Sequence, residues 1–307
     1  MLLDLNTKKY LIVLAGPTAV GKTTLCVKLA QALHCEIISA DSRQFFKELS
    51  IGTAKPSRTE MGGVPHHFVD FLSIEQEFSA GKFELETSKL LPKLFNKHHC
   101  ALMTGGSGLY IQAVCDGMND IPVVDIEFRD ALYNELQIHG LSPLLEELRI
   151  KDPDYYQMVD HKNPQRIIRA LEICRGSGKP YSSYRTDLRV NRNYEVIKIA
   201  LDRKREELFE RIENRMDEMI AGGLFEEAKK FYNQRHLNAL KTVGYKEIFD
   251  YMDGAYDMKE AIRLLKRNSR RYAKRQLTWF KKDPEYMWFH PDEYEKMIAY
   301  IQEKMKS

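Results

Sequence analysis

The eight residues 16–23, reading GPTAVGKT, leave a chain few ways to fold. They match G-x-x-x-x-G-K-[ST], follow the apolar run LIVLA and precede a helical pattern, which is the order a phosphate-binding loop requires. Backbone N–H groups of such a loop wrap a phosphate at a helix N-terminus, where Lys22 would neutralise charge and the Thr23 hydroxyl could ligate Mg²⁺. None of this requires the phosphate to belong to ATP. The plain alternative is a glycine turn with no ligand.

Two further stretches repeat the strand-then-loop pattern. CEIISADSRQ is a β-branched strand ending at Asp41, and CALMTGGSGLY is an apolar strand ending in a glycine pair before a helix. Strands alternating with helices imply an α/β fold, with a parallel sheet whose ligand crevice lies at the carboxyl ends of its strands. The loop, Asp41 and Ser107 should therefore meet in one cleft. From about residue 120 to 193 the pattern turns helical, in FRDALYNELQIHG, SPLLEELRI and PQRIIRALEICRGSG, before a strand-like YEVIKIALD returns. We read residues 1–119 and 194–307 as a P-loop NTPase-like core with helices on its sheet, and 120–193 as a helical insertion.

At 307 residues, 43% of them hydrophobic and 30% charged, the chain can bury a sizeable core. No run of about eighteen apolar residues occurs, and MLLDLNTKKY lacks a signal-peptide pattern, so a soluble cytoplasmic protein without membrane contact is expected. The five scattered cysteines include no C-x-x-C pair and read as core residues rather than a disulfide framework or zinc site. A net charge of +3 is too small to identify a partner, so its distribution matters more. In AIRLLKRNSRRYAKRQLTWFKK, Arg263, Lys266, Arg267, Arg270, Arg271, Lys274 and Arg275 recur at three- and four-residue steps, placing seven cations on one half of a helix. That half contains no acid, so the stripe points to a polyanion such as nucleic acid; the alternative is a solvated face.

Single residues remain open on this reading. Asp41 could hold Mg²⁺ at second sphere, accept a substrate proton, or cap a following helix. Ser107 could cap a helix or aim its hydroxyl into the cleft. Arg166 and Arg169 share a helical face, suited to phosphate contact or to an ion pair with Glu172. His66 and His67, adjacent and without a carboxylate or cysteine at ligand spacing, read as structural.

The ordered set GPTAVGKT, SADSRQ, IGTAKP, VPHHFVD, GGSGLY, NPQRIIRALE, SGKP, RIENRMDEMIAGGLFEEA, TVGYKE and RRYAKRQLTWF resembles the bacterial tRNA dimethylallyltransferases, also called tRNA isopentenyltransferases, over essentially the whole chain. The resemblance implies transfer of a dimethylallyl group from dimethylallyl diphosphate to the exocyclic amine of the adenosine 3′ to the anticodon, by a Mg²⁺-dependent cytoplasmic monomer. It implies that Gly16, Pro17, Thr18, Ala19, Val20, Gly21, Lys22 and Thr23 cradle the diphosphate, Asp41 is the general base, Ser107 touches the reacting nucleotide or diphosphate, and Arg215 binds diphosphate, ahead of Arg211. It places tRNA contacts at Asp41, Ser42, Arg43, Gln44, Ser107 and Arg129, and at Gln165, Arg166, Ile167, Ile168 and Arg169. Further contacts fall at Lys241, Thr242, Val243, Gly244, Tyr245 and Lys246, and at Arg267, Arg270, Arg271 and Lys274. Ser107 replaces the threonine of many relatives, and KTVGYK stands where RCVGYR is usual, so Lys241 and Lys246 lack arginine's fork. Two other classes compete: a small-molecule kinase with the insertion as a lid, which leaves the stripe unused, and a nucleotide-regulated RNA-binding protein, which gives Asp41 and Ser107 no task.

Overall fold

The structure is a computed structural model and describes residues 8–185 and 192–306; most of the amino-terminal stretch read for a targeting signal lies outside these. The chain divides into two compact units, Met1–Asp116 with Asn191–Ser307, and Gly117–Val190. The structure divides slightly earlier at each end than the expected boundaries at 120 and 193.

The first unit is built on a six-stranded parallel sheet, in the order β3-β2-β4-β1-β5-β6. Its strands are β1 (Tyr10–Ala15), β2 (Ile37–Ser39), β3 (His66–His67), β4 (Cys100–Gly105), β5 (Glu195–Leu201) and β6 (Met287–Phe289). The central β1 is buried along its length because its alternating side chains feed two cores. Tyr10, Ile12 and Leu14 pack with Leu25 and Leu29 on one face; Leu11, Val13 and Ala15 pack with Phe45, Phe83 and Met103 on the other. A strand covered on both faces reads as a continuous apolar run, as this one does.

Helices α1 (Lys22–Ala32), α2 (Ala80–Phe95) and α3 (Gly108–Asp116) belong to this unit. So do α8 (Arg205–Ala221), α9 (Leu224–Lys230), α10 (Tyr245–Met252), α11 (Met258–Phe280) and α12 (Tyr294–Lys306). Residues of α8 to α11 form a third apolar cluster around the buried Tyr245, Ile248 and Leu265. At the amino ends of the strands His67 Nε2 lies 2.6 Å and His98 Nε2 3.3 Å from the two oxygens of Glu36, while His66 Nδ1 meets the Val64 carbonyl at 2.8 Å. All five cysteines are buried free thiols. Among the described residues no helix is long and apolar enough to cross a membrane.

The second unit holds α4 (Ile126–His139), α5 (Ser142–Lys151), α6 (Pro153–Met158) and α7 (Pro164–Ser177) around its own core of Leu132, Leu144, Leu148, Ile167, Ile168 and Leu171. Helix α6 is too short to show a period, and the sequence reading passed over it. Its N-cap, the fully buried Asp152, accepts from the Tyr155 amide (3.1 Å), the Ser182 amide (2.7 Å) and the Ser182 hydroxyl (2.6 Å), pinning the SGKP turn to the bundle. Ile167 and Ile168 are 0% and 2% exposed, which corrects the expectation for them: these side chains fill the core and offer nothing to RNA.

Candidate active site

A cavity of about 790 Å³ opens within the first unit at the carboxyl ends of β1 and β2. Its wall includes Thr18, Ala19, Gly21, Lys22 and Thr23 of the loop, Asp41, Arg43 and Gln44 after β2, and Arg211 and Arg215 of α8. Gly21 takes φ +110° at the N-cap of α1, and Ala19 is held in the left-handed region at φ 62°. Val20 is 0% exposed in the core, so only its backbone could serve a phosphate, and Pro17 has no N–H to offer; the cradle expected over all eight positions narrows accordingly.

Lys22 Nζ donates to the carbonyls of Gly16 (2.9 Å) and Pro17 (2.7 Å), lying across the loop where an anion would sit. Burial pushes its ammonium down to about 8; Asp41 opposes that shift and Arg215 adds to it. Arg215 is likewise lowered by burial and held up by Asp41. One carboxylate and two cations therefore share a poorly hydrated space. Arg215 also reaches the Thr18 hydroxyl at 3.4 Å, and Arg211 Nε donates to the Ala19 carbonyl at 2.9 Å, so α8 steadies the loop from outside.

Asp41 Oδ1 accepts the Arg43 amide at 3.1 Å, which orders the turn, and among the described residues no hydrogen bond engages the second carboxylate oxygen. Capping and proton acceptance are compatible here. Ser107 does not use its hydroxyl to cap α3; it accepts the Ser42 amide at 3.0 Å and meets the Ser42 hydroxyl at 3.1 Å, tying the loops after β2 and β4 together. The two loops can touch because Gly105 has no side chain: a Cβ there would sit 2.3 Å from the Ala40 carbonyl oxygen. Arg43 donates to the carbonyls of Asn238 (2.8 Å) and Ala239 (3.3 Å), and Gln44 to those of Thr53 and Ala54.

Two organising residues escaped the sequence reading. Glu227 of α9 accepts the consecutive amides of Ser50 (3.0 Å), Ile51 (2.9 Å) and Gly52 (2.8 Å) and the Tyr245 hydroxyl (2.6 Å), which hold its carboxyl below the usual range although burial alone would raise it. It thereby fixes the IGTAKP loop along the cavity. Gln276 of α11 accepts the Thr18 amide at 2.9 Å and donates to the Gly106 carbonyl at 3.0 Å. The only signal for either was a polar residue on the buried face of an amphipathic helix.

Thr242, Val243 and Gly244 line the cavity, and Lys241 and Lys246 are exposed. Tyr245 is 0% exposed beneath them, so its side chain is a packing and Glu227-binding group, and an RNA contact there could involve only its backbone. On α11 the cationic half and the buried half fall as expected, with Leu265, Ala273 and Phe280 buried. The stripe is not free of acids, however. Arg263 pairs with Glu260 of its own first turn, and Lys266 and Arg270 pair with Asp217 and Glu213 of α8. Arg271 and Lys274 are exposed and no ion pair is found for either among the described residues. In the second unit Gln165 and Arg166 are exposed, while Arg129 and Arg169 both grip the buried Glu172, each at 3.0 Å. The ion pair considered for Arg169 thus exists.

Thr23 lines the same cavity as Asp41, and no hydrogen bond engages its hydroxyl among the described residues. A hydroxyl oxygen completed by phosphate oxygens and water is a donor set that suits Mg²⁺.

Residues 44–283 match the family described as IPP transferase. The chain is 51% identical over 298 residues to the tRNA dimethylallyltransferase of Cytophaga hutchinsonii, covering 97% of this chain and 98% of that one. It is 50% identical to the tRNA dimethylallyltransferase of Christiangramia forsetii, covering 97% and 99%. The crystal structure of the full-length tRNA isopentenylpyrophosphate transferase from Bacillus halodurans superposes with TM-score 0.72 at 37% identity, covering 97% of each chain. A eukaryotic dimethylallyltransferase acting on tRNA superposes with TM-score 0.72 at 26% identity, covering 88% of this chain and 69% of that one.

Proposed function

We propose that this chain, which belongs to the IPP transferase family, is a tRNA dimethylallyltransferase: it moves a dimethylallyl group from dimethylallyl diphosphate to the N6 amine of the adenosine 3′ to the anticodon, releasing diphosphate. The observation that carries the reading is one cavity walled by a phosphate-binding loop, the Asp41 carboxylate and three arginines, Arg43, Arg211 and Arg215. An isoprenoid diphosphate needs the loop and cations, and an amine nucleophile needs the carboxylate.

Adenine's exocyclic amine is a weak nucleophile because its lone pair is delocalised into the ring. As N6 bonds to C1 of the dimethylallyl group, the C1–O bond breaks with its electron pair leaving on diphosphate, and the N6 proton passes to the free oxygen of Asp41. Lys22 and Arg215 meet the charge growing on the leaving oxygen, in a site whose poor hydration strengthens them. Mg²⁺ held at Thr23 would supply further charge neutralisation to the diphosphate. The target adenosine must leave its stack to reach the cavity, at a cost of a few kcal/mol recovered from backbone contacts. Arg271 and Lys274 of α11, exposed Lys241 and Lys246, and Arg166 of the helical unit are the cations proposed to make them. A monomer is proposed with this reading, and the cytoplasm, where tRNA is found, is the proposed location.

The test is incubation with labelled dimethylallyl diphosphate and unmodified tRNA, beside labelled ATP. Label carried onto tRNA supports the reading. ATP turnover to ADP without transfer to tRNA would favour a kinase instead.

A further inference from the structure

We infer that Gln276 is a positioning residue that sets the spacing between the donor loop and the acceptor side of the site, an inference resting on the function proposed above. Its side chain is 6% exposed and lies on the core face of α11, amid Ala273 and Phe280. Its two ends are not interchangeable. The Thr18 amide can only donate and the Gly106 carbonyl can only accept, so Oε1 must face the loop and Nε2 must face the turn before Ser107. The turn is shaped for this contact, because a Cβ on Gly106 would lie 2.1 Å from Gln276 Nε2.

The amide therefore spans a gap that, among the described residues, no backbone hydrogen bond closes. β1 and β4 stay in register up to Ala15 and Gly105, and there both strands end. Beyond that point Thr18 leads into the phosphate-binding loop while Gly106 leads into Ser107, which holds Ser42 next to Asp41. Gln276 fixes one relative to the other. It does so from the helix whose opposite side carries the exposed Arg271 and Lys274, so the donor loop, the turn beside the base and the cationic helix meet at one side chain. In-line attack tolerates little error in the separation of amine and C1, and a misplacement of about 1 Å costs on the order of a hundredfold in rate. Gln276 borders the cavity, but both of these hydrogen bonds are spent on backbone groups of Thr18 and Gly106 rather than on a substrate, so the consequence should fall on the chemical step more than on binding.

The experiment compares wild type, Gln276→Met and Gln276→Glu by single-turnover transfer to unmodified tRNA, by separate titrations with tRNA and with dimethylallyl diphosphate, and by melting. Gln276→Met keeps length and removes both bonds, together with the side chain's hydrogen bond to Tyr272; the rate is expected to fall at least about tenfold with both affinities within about threefold. Gln276→Glu sets a carboxylate against the Gly106 carbonyl above its titration, whereas its protonated form can donate there and still accept from Thr18. The ratio of its rate to wild type should accordingly rise as pH falls, a recovery that a general loss of stability would not give at temperatures where both chains are folded. A folded Gln276→Met with wild-type rate, a rate loss wholly matched by weaker binding, or a pH-independent ratio overturns the inference. So does loss of folding in both variants, which would assign the amide to the fold alone. A wild-type chain that transfers nothing overturns the proposed function and this inference together, whereas an active wild type beside an equally active Gln276→Met overturns only the inference.

Discussion

Asp41 is a carboxylate with one oxygen spent on the Arg43 amide and two cations, Lys22 and Arg215, close enough to feel its charge. Asn at this position would keep the turn and lose the base, so Asp41→Asn should lower single-turnover transfer by about two to four orders of magnitude while tRNA affinity stays within a few-fold. Lys22 carries a second test. With its ammonium pushed down to about 8, half the free protein has lost that charge near pH 8, yet a diphosphate favours the charged form. Donor binding should take up protons around and above that pH and weaken as pH rises; calorimetry in buffers of different ionisation enthalpy reads the uptake, and Lys22→Ala should abolish it. Glu227 works in the opposite direction. Its carboxylate is depressed by three amides and a phenol, so its contribution to stability is present above the ordinary value of 4.5 and is lost as pH falls through the lower folded value. Glu227→Gln turns a donor toward those amides and should cost about 2–4 kcal/mol in urea denaturation at pH 7, a difference that shrinks in acid.

Helix α11 shows how one element serves two ends. Its buried half packs Leu265, Ala273 and Phe280, and its cationic half is graded by what α8 presents to it. Lys266 and Arg270 are already neutralised by Asp217 and Glu213, whereas Arg271 and Lys274 are exposed. Each cation that meets a phosphate releases about one counterion, so the salt dependence of tRNA affinity counts the contacts. Replacing Arg271 and Lys274 together by Gln should flatten the log–log slope by about two units, while replacing Lys266 and Arg270 should flatten it less. Equal effects from both pairs would mean that the α8 carboxylates let go when RNA binds. Donor affinity should hardly change in either case.

At the scale of the whole chain, two units with separate apolar cores are joined through one polypeptide. Both tryptophans, Trp279 and Trp288, belong to the sheet-bearing unit, so their fluorescence reports that unit while far-ultraviolet dichroism reports all the helices. Leu148→Ala, at a fully buried site of the helical unit, should cost about 2–5 kcal/mol there and split the two signals into non-coincident transitions. Much of this organisation was legible beforehand. The strand–loop–helix at residues 10–32 and the placement of Asp41 and Ser107 at strand ends follow from local apolar periods and glycine spacing, which are properties of neighbouring residues. So does the two-faced character of α11, because a three-and-four step fixes angle around a helix whatever it packs against. What the periods could not give was partnership across the sequence. That Glu213 and Asp217 answer the stripe, that Glu227 ties the IGTAKP loop and that Gln276 bridges Thr18 to Gly106 depend on contacts between residues 57, 49, 177 and 258 positions apart. Ile167, Ile168 and Tyr245 illustrate the same limit, since a motif can mark a segment as functional while packing alone decides which of its side chains face outward. The sequence determined the loop, the strand ends and the charge of the helix; tertiary structure decided which polar groups remain free to act, because that depends on what the distant chain brings alongside them.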